Sequence, residues 1–439
     1  METLNLIGKF AQKICMPDSR TEDTKRFDVP TTETMAKKET ETAVEKVSEK
    51  KIMQNMSTVD SLESVSMDDF QELQAAKIHE YLGRATRNEK GGPPEVVVVV
   101  DPYSTGKYLV EELRSRSIQM VAVRSSLDLA PFWLKSLQPE YFLDVIDFDE
   151  HDIKSTVELF SKYNVKHVVP GSEPGVMVAD TLADALGCPW NGGDTKEWRR
   201  HKFAMQERIR SQGLRAIRQI YSDDLNEMAT WCAEHGSWPV VVKPAMSGGC
   251  DGVSFCKNFG EVEAAVNENL SVMNVNGAVN DKLLLQECLM GDEYIVDMVS
   301  NDGVHVVSGI WRYSKLNLPG INFQHSAAEL LPATGDVQDI LVSYVKQCLD
   351  ALHIAKGASH SEVMMTSSGP CLIETGARMH GLKGPKVLQI ATGTYFAFVI
   401  FNITQAFFIS SCRRVEQCLK ISNVPRDRTR GTFSLRIPN

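Results

Sequence analysis

Apolar and polar positions along this 439-residue chain change their spacing twice, and each change predicts a different kind of structure. From Met1 to about Glu89, Lys, Glu, Thr and Ser dominate and large apolar residues are few before Ile78. This predicts a disordered leader over 1–90, with one helical stretch near Met67 to Leu82. Order is predicted to begin at Val96. Five consecutive valines, the turn Asp-Pro-Tyr-Ser-Thr-Gly, an amphipathic stretch Lys107 to Arg116 and the short run Met120 to Val123 compose a βαβ unit. Its parallel sheet is covered on both faces. A helix over Asp152 to Tyr163, a strand over Val165 to Val169, the loop Pro170 to Gly175 and a helix over Val176 to Leu186 extend this α/β domain across 95–190. In such sheets ligands bind outside the carboxyl ends of the strands.

Beyond Asn191 the grammar becomes α+β, predicting a second domain over 191–400. Helices are expected at Lys196 to Gln212, Asp223 to His235 and Val337 to Leu352. Strands are expected at Ile217 to Ile220, Pro239 to Lys243, Lys282 to Glu287, Glu293 to Ser300 and Val304 to Tyr313. The part from about 215 to 280 forms a subdomain around a glycine-rich loop. The uncharged run Val387 to Ile409 is long enough to span a bilayer. Its Gln389, Thr392, Asn402 and Gln405 favour a buried helix instead. The Arg-rich end, 410–439, reads as an irregular tail.

The most informative local pattern is a hairpin from His360 to Arg378. A turn centred on Ser368 pairs Glu362 with Glu374 and His360 with Gly376, so His360, Glu362, Glu374 and Arg378 project to one side. Two like charges directly opposite repel. A sheet that keeps them there, with a guanidinium beyond, fits a divalent cation shared with a phosphate. Upstream, Lys243 closes the apolar strand Pro-Val-Val-Val-Lys-Pro, where an ammonium calls for an anionic partner. The loop after it, Ser247-Gly248-Gly249-Cys-Asp-Gly252, lets backbone N–H groups approach phosphate oxygens. Lys202 lies on a helix, where alone it would read as a solvated lysine. Leu283 to Tyr294 is an apolar strand leading to a glycine turn, which suits an adenine slot but equally a plain β-turn.

Composition narrows the partners. A net charge of −10 argues against general nucleic-acid binding. The ten cysteines show no CxxC and no zinc spacing, which favours free thiols in a reducing compartment. Residues 1–15 lack the marks of a secretory or transit peptide, which leaves the cytoplasm as the expected location, with an organelle as the alternative. Ser104 to Lys107 fails as a Walker A loop, because Asp101 and Tyr108 stand where Gly and Ser or Thr are needed. It is left as either a small-molecule contact or a tight βα turn.

The ordered set Lys202, Lys243 with its glycine loop, Gln286-Glu287 to Glu293, and Glu362 to Glu374 to Arg378 resembles the ATP-grasp superfamily of carboxylate-amine ligases. Gly171 to Gly175, Ala179-Asp180 and His-Ser-Glu362 are most similar to the branch of dipeptide-forming, carnosine-synthase-like amino-acid ligases. The resemblance implies an ATP-grasp fold preceded by a Rossmann-like domain. Lys202, Lys243, Ser247, Gly248, Gly249 and Gly252 would contact ATP phosphates. Gln286, Glu287 and Leu289 would line adenine and Glu293 the ribose; Glu362 and Glu374 would hold Mg²⁺ or Mn²⁺; Arg378 would stabilise the transferring phosphate. Small-molecule carboxylate and amine substrates are implied, and a homodimer is allowed; nucleic acid and membrane are not expected partners. One departure stands out, since the family often has Asn where this chain has Gly376. A catalytically silent, ATP-binding regulatory or assembly protein is the alternative reading.

Overall fold

The computed structural model describes residues 92–318, 321–392 and 434–436. The predicted leader, all of 393–409 and most of the tail lie outside the described residues. Strands β1 (Glu95–Val100), β2 (Met120–Arg124), β3 (Val145–Asp147) and β4 (Asn164–Pro170) form a parallel sheet in the order β3-β2-β1-β4. Val97 and Val99 enter one core while Val96, Val98 and Val100 enter another, so both faces are covered, as the valine run requires. Helix α1 (Gly106–Ser115) follows β1. A Cβ on Gly106 would stand 2.7 Å from the carbonyl oxygen of Gly171 in the loop after β4. That close approach accounts for the glycine in the Ser104 to Lys107 turn. Helix α2 (Ile153–Glu158) is shorter than predicted: Asp152 caps it by accepting from the Ser155 N–H, and its end tightens into i,i+3 bonds such as Phe160 N to Val157 O. Helix α3 (Val176–Ala185) packs behind β1 and β4.

The helix predicted over Lys196 to Gln212 is two elements. A 3-10 turn, Gly193–Arg199, breaks at Arg200 and His201 before α4 (Lys202–Ser211) begins. Arg199 causes the break. Fully buried, it donates to Asp180 Oδ2 at 2.8 Å, to the Leu352 carbonyl at 3.2 Å and to the Gly192 carbonyl, which holds the chain off the helical path.

The next sheet, antiparallel in the order β5-β8-β6-β7, comprises β5 (Gln219–Ser222), β6 (Val240–Pro244), β7 (Ser254–Cys256) and β8 (Leu283–Glu287). Helices α5 (Leu225–His235) and α6 (Phe259–Asn269) bury Met228, Val262 and Val266 against its Val240, Val242 and Leu285. The largest sheet is antiparallel, in the order β13-β12-β9-β10-β11-β14. Its strands are β9 (Asp292–Asn301), β10 (Val304–Leu318), β11 (Ile321–Leu330), β12 (Gly357–Thr366), β13 (Gly369–Gly376) and β14 (Ser434–Arg436), with α7 (Asp336–Ala351) packed on one face. Thus the tail is not irregular throughout, because β14 pairs with β11. Helix α8 (Gly384–Thr392) covers the start of the uncharged run, and among the described residues no helix is long and apolar enough to cross a membrane.

In the hairpin, Glu362 pairs with Glu374 and His360 with Gly376, as predicted. The turn does not centre on Ser368. Thr366 pairs with Gly369, which is one residue tighter, and a register shift between Glu362 and Val363 restores the carboxylate pairing.

Candidate active site

The two carboxylates stand on neighbouring strands, with β12 interior to the sheet between β13 and β9. Opposed residues of an antiparallel pair lie about 4.5–5.5 Å apart at Cα, close enough for one cation to take oxygens from both. The other face of the hairpin carries Val363 and Leu372 into the core, which directs Glu362 and Glu374 into the cleft. Lys202, the first residue of α4, reaches across: its Nζ lies 3.0 Å from Glu374 Oε2 and 2.6 Å from the Ser247 carbonyl oxygen. It is buried, not solvated. Burial opposes the charge on Glu374, but Lys202 and Lys243 outweigh it and hold the carboxyl down at about 2.

Lys243 is buried on β6, and its ammonium has no hydrogen bond or ion pair among the described residues. Burial pushes its ammonium down to about 8, although Glu374 pulls the other way. A buried cation without a direct partner is the condition under which a phosphate is bound well. The glycine loop begins four residues later. Gly249 and Gly252 take positive φ (65° and 68°), and the Ser247 hydroxyl donates to Asp251 Oδ2 at 2.6 Å. The same oxygen accepts from Val275 N at 3.2 Å, while Trp133 Nε1 of the α/β domain donates to the Val275 carbonyl at 3.3 Å.

The hinge residues divide. Gln286 Nε2 donates to Gln219 Oε1 at 2.7 Å and Glu287 Oε1 accepts from Arg218 N at 2.8 Å, so both side chains brace β5. Main-chain groups near the half-buried Leu289 are what that segment offers a base. Glu293 is buried on β9, and its charge is felt by Cys250 of the glycine loop and by Tyr313.

Arg378 lies just past β13. Its Nε donates to Glu173 Oε2 at 2.7 Å and Nη1 to the Met379 carbonyl at 2.9 Å. Arg200 approaches the other oxygen of Glu173 at 3.5 Å. Glu173 thus lies between two guanidinium groups. Burial would raise its carboxyl, but Arg378 and Arg200 hold it below the usual range.

Behind Glu362 sits a buried cluster that sequence reading missed. Asp297 Oδ1 accepts from His360 Nδ1 at 2.8 Å, and Oδ2 accepts from His380 Nδ1 and Trp311 Nε1, both at 2.7 Å. Three such atoms lie close enough to hold a metal ion, yet these separations are those of hydrogen bonds, and the carboxylate is saturated by donors. Burial opposes charge on Asp297, but the two imidazoles outweigh it and hold its carboxyl far below its usual range. His360 is raised to about 9: burial lowers it, and the bonds to Asp297 and Glu362 prevail. His380 is buried with Asp297 and His360. Asp297 left no signal, since it interrupts an apolar strand and its partners are 14, 63 and 83 residues away. Arg200 was hidden by the assumption of one continuous helix.

Comparison with known proteins adds independent findings. Residues 236–386 match the family model of an ATP-grasp domain. Dapdiamide A synthase of Enterobacter agglomerans is 32% identical over 332 residues, which covers 73% of this chain and 76% of that protein. An L-arginine-specific L-amino acid ligase of Bacillus subtilis is 21% identical over 218 residues, 49% of this chain and 52% of that one. The crystal structure of an L-amino acid ligase from Bacillus licheniformis shares the fold, with a TM-score of 0.57 at 19% identity over 73% of this chain and 74% of that one.

Proposed function

We propose the following roles from the premise that this chain belongs to the ATP-grasp ligases, ATP- and Mg²⁺-dependent enzymes that join a carboxylate to an amine. Lys202, Lys243 and the loop Ser247 to Gly252 hold the ATP phosphates. The main chain around Leu289 receives adenine, Gln286 and Glu287 keep that strand in place, and Glu293 faces the ribose. Glu362 and Glu374 hold Mg²⁺. The carrying observation is the in-register pair Glu362–Glu374 with Lys202, Lys243 and Arg378 converging on it. Opposed hard oxygen donors beside a buried cation fit Mg²⁺ shared with a phosphate chain. When bound, Mg²⁺ neutralises charge between the phosphate oxygens.

The chain's own groups do the rest. A substrate carboxylate oxygen attacks the γ-phosphorus, the bond to the bridging oxygen breaks, and ADP leaves behind an acyl phosphate. The amine nitrogen then attacks the acyl carbon, phosphate departs with the bonding pair, and the nitrogen releases a proton. Arg378 meets the charge on the phosphate in both steps. No side-chain nucleophile is required, because orientation and electrostatics lower both barriers. Similarity to dapdiamide A synthase and to an L-amino acid ligase supports amino acids as substrates. Glu374→Gln is expected to reduce amino-acid-dependent phosphate release by about 100-fold or more. Near-normal turnover would sink the metal assignment. Product mass across pairs of amino acids then identifies what is joined.

A further inference from the structure

The loop Pro170 to Gly175 follows β4, and the sheet order places β4 on the opposite side of β1 from β2. The strand order reverses there, so the loop stands at the crevice where such sheets bind ligands. Glu173 at its centre extends into the other domain's cleft. Its carboxylate fills a particular space: a Cβ on Gly376 would fall 2.7 Å from Glu173 Oε2. The Asn that the family resemblance expects at 376 would require that carboxylate to move. Glu173 instead accepts from Arg378 Nε at 2.7 Å, and the Met379 carbonyl accepts from Nη1 at 2.9 Å. Two of the three guanidinium nitrogens are thereby held, and Nη2 remains to donate to an anion. Arg200, the second cation on Glu173, donates through Nη2 to the Met246 carbonyl at 2.7 Å, at the root of the glycine loop.

We propose that Glu173 is the positioning residue for Arg378: reaching in from the α/β domain, it fixes the guanidinium over the carboxylate pair, and Gly376 is the space that admits it. The glycine is then the counterpart of a carboxylate supplied from elsewhere in the chain, and not a lost ligand. This rests on the role given to Arg378 above. A guanidinium held on two sides is already oriented when the phosphate charge develops, which is worth more in rate than in ground-state binding.

The test is amino-acid-dependent phosphate release, with kcat and KM for ATP measured on folded protein verified by circular dichroism. Glu173→Ala is expected to lower kcat by about 10- to 100-fold with KM within about twofold. Glu173→Gln, which keeps an acceptor without the charge, should fall between. In an Arg378→Ala background, Glu173→Ala should cost less than about twofold. Gly376→Ala, which displaces the carboxylate, should copy the kcat loss alone and add little to Glu173→Ala. Should Glu173→Ala not fold, Glu173→Gln and Gly376→Ala carry the same comparison with Arg378→Ala. A large loss in Arg378→Ala with none in the Glu173 and Gly376 variants overturns this proposal alone, as does full additivity. An unchanged kcat in Arg378→Ala overturns the assigned role of Arg378 and this proposal with it.

Discussion

Lys243 offers a direct reading of what the cleft binds. Its ammonium sits in the protein with a pKa pushed from 10.5 down to about 8 by burial. Phosphate oxygens placed beside it return the pKa toward or above its ordinary value, because the charged form gains a hydrogen-bonded partner. Between pH 8 and 10.5 the free protein holds fewer protons at this site than the nucleotide complex, so binding takes up a proton and weakens as pH rises. The uptake works out at about one-tenth of a proton at pH 7, about one-half at pH 8 and about nine-tenths at pH 9. Affinity should fall about tenfold from pH 7 to pH 9, equivalent to about 1.4 kcal/mol. Isothermal titration with a non-hydrolysable MgATP analogue, in buffers of differing ionisation enthalpy, measures both quantities. Lys243→Arg keeps the charge throughout and should flatten the profile. Zero uptake at pH 9, or the same uptake in Lys243→Arg, would refute the placement of Lys243 on the phosphates. The sign for folding runs the other way. The buried charge costs stability below pH 8, and that cost fades as pH rises toward 10.5.

Two further expectations concern the scaffold. Asp297→Asn leaves His360, His380 and Trp311 facing an uncharged amide in a buried site and should cost about 3–5 kcal/mol in urea unfolding at pH 7; an effect under about 1 kcal/mol would remove Asp297 as the anchor of that cluster. Arg199→Met strands the buried Asp180 carboxylate, whose Oδ1 already lacks a hydrogen-bond partner, and should destabilise by a similar about 3–5 kcal/mol, with partial recovery in Arg199→Met combined with Asp180→Asn.

What the sequence made legible was local. The valine run predicted a doubly covered parallel sheet because period and length leave little choice, and β1 bears that out. Glu362 and Glu374 could be paired because only a short turn separates them. Lys243 stood out because an ammonium at the end of an apolar strand needs a reason. The illegible part was long-range. Nothing near Glu173 points to Arg378, 205 residues on, and nothing near Asp297 points to His380. The side-chain bonds of Gln286 and Glu287 across to Gln219 and Arg218 were equally hidden, because those partners depend on which strands become neighbours. The helix break at Arg200 was invisible because its cause, the burial of Arg199 against Asp180 and Leu352, lies in tertiary contacts.

The register shift beside Glu362 bears on how this hairpin can change in length. From its two-residue turn, an unshifted ladder would set Glu362 against Ile373 and carry Glu374 onto the face of Ser361, among core side chains. Ile373 is the extra residue in β13 that prevents this. Eleven residues lie between the two glutamates, an odd number that a two-residue turn and an unbroken ladder cannot hold. Deleting Ile373 would leave ten, Leu372 and Glu374 would become neighbours opposite Val363 and Glu362, and the carboxylates would still face each other. Related chains can therefore keep or drop that residue and preserve the cation site, and an alignment should place the gap at Ile373, not in the turn.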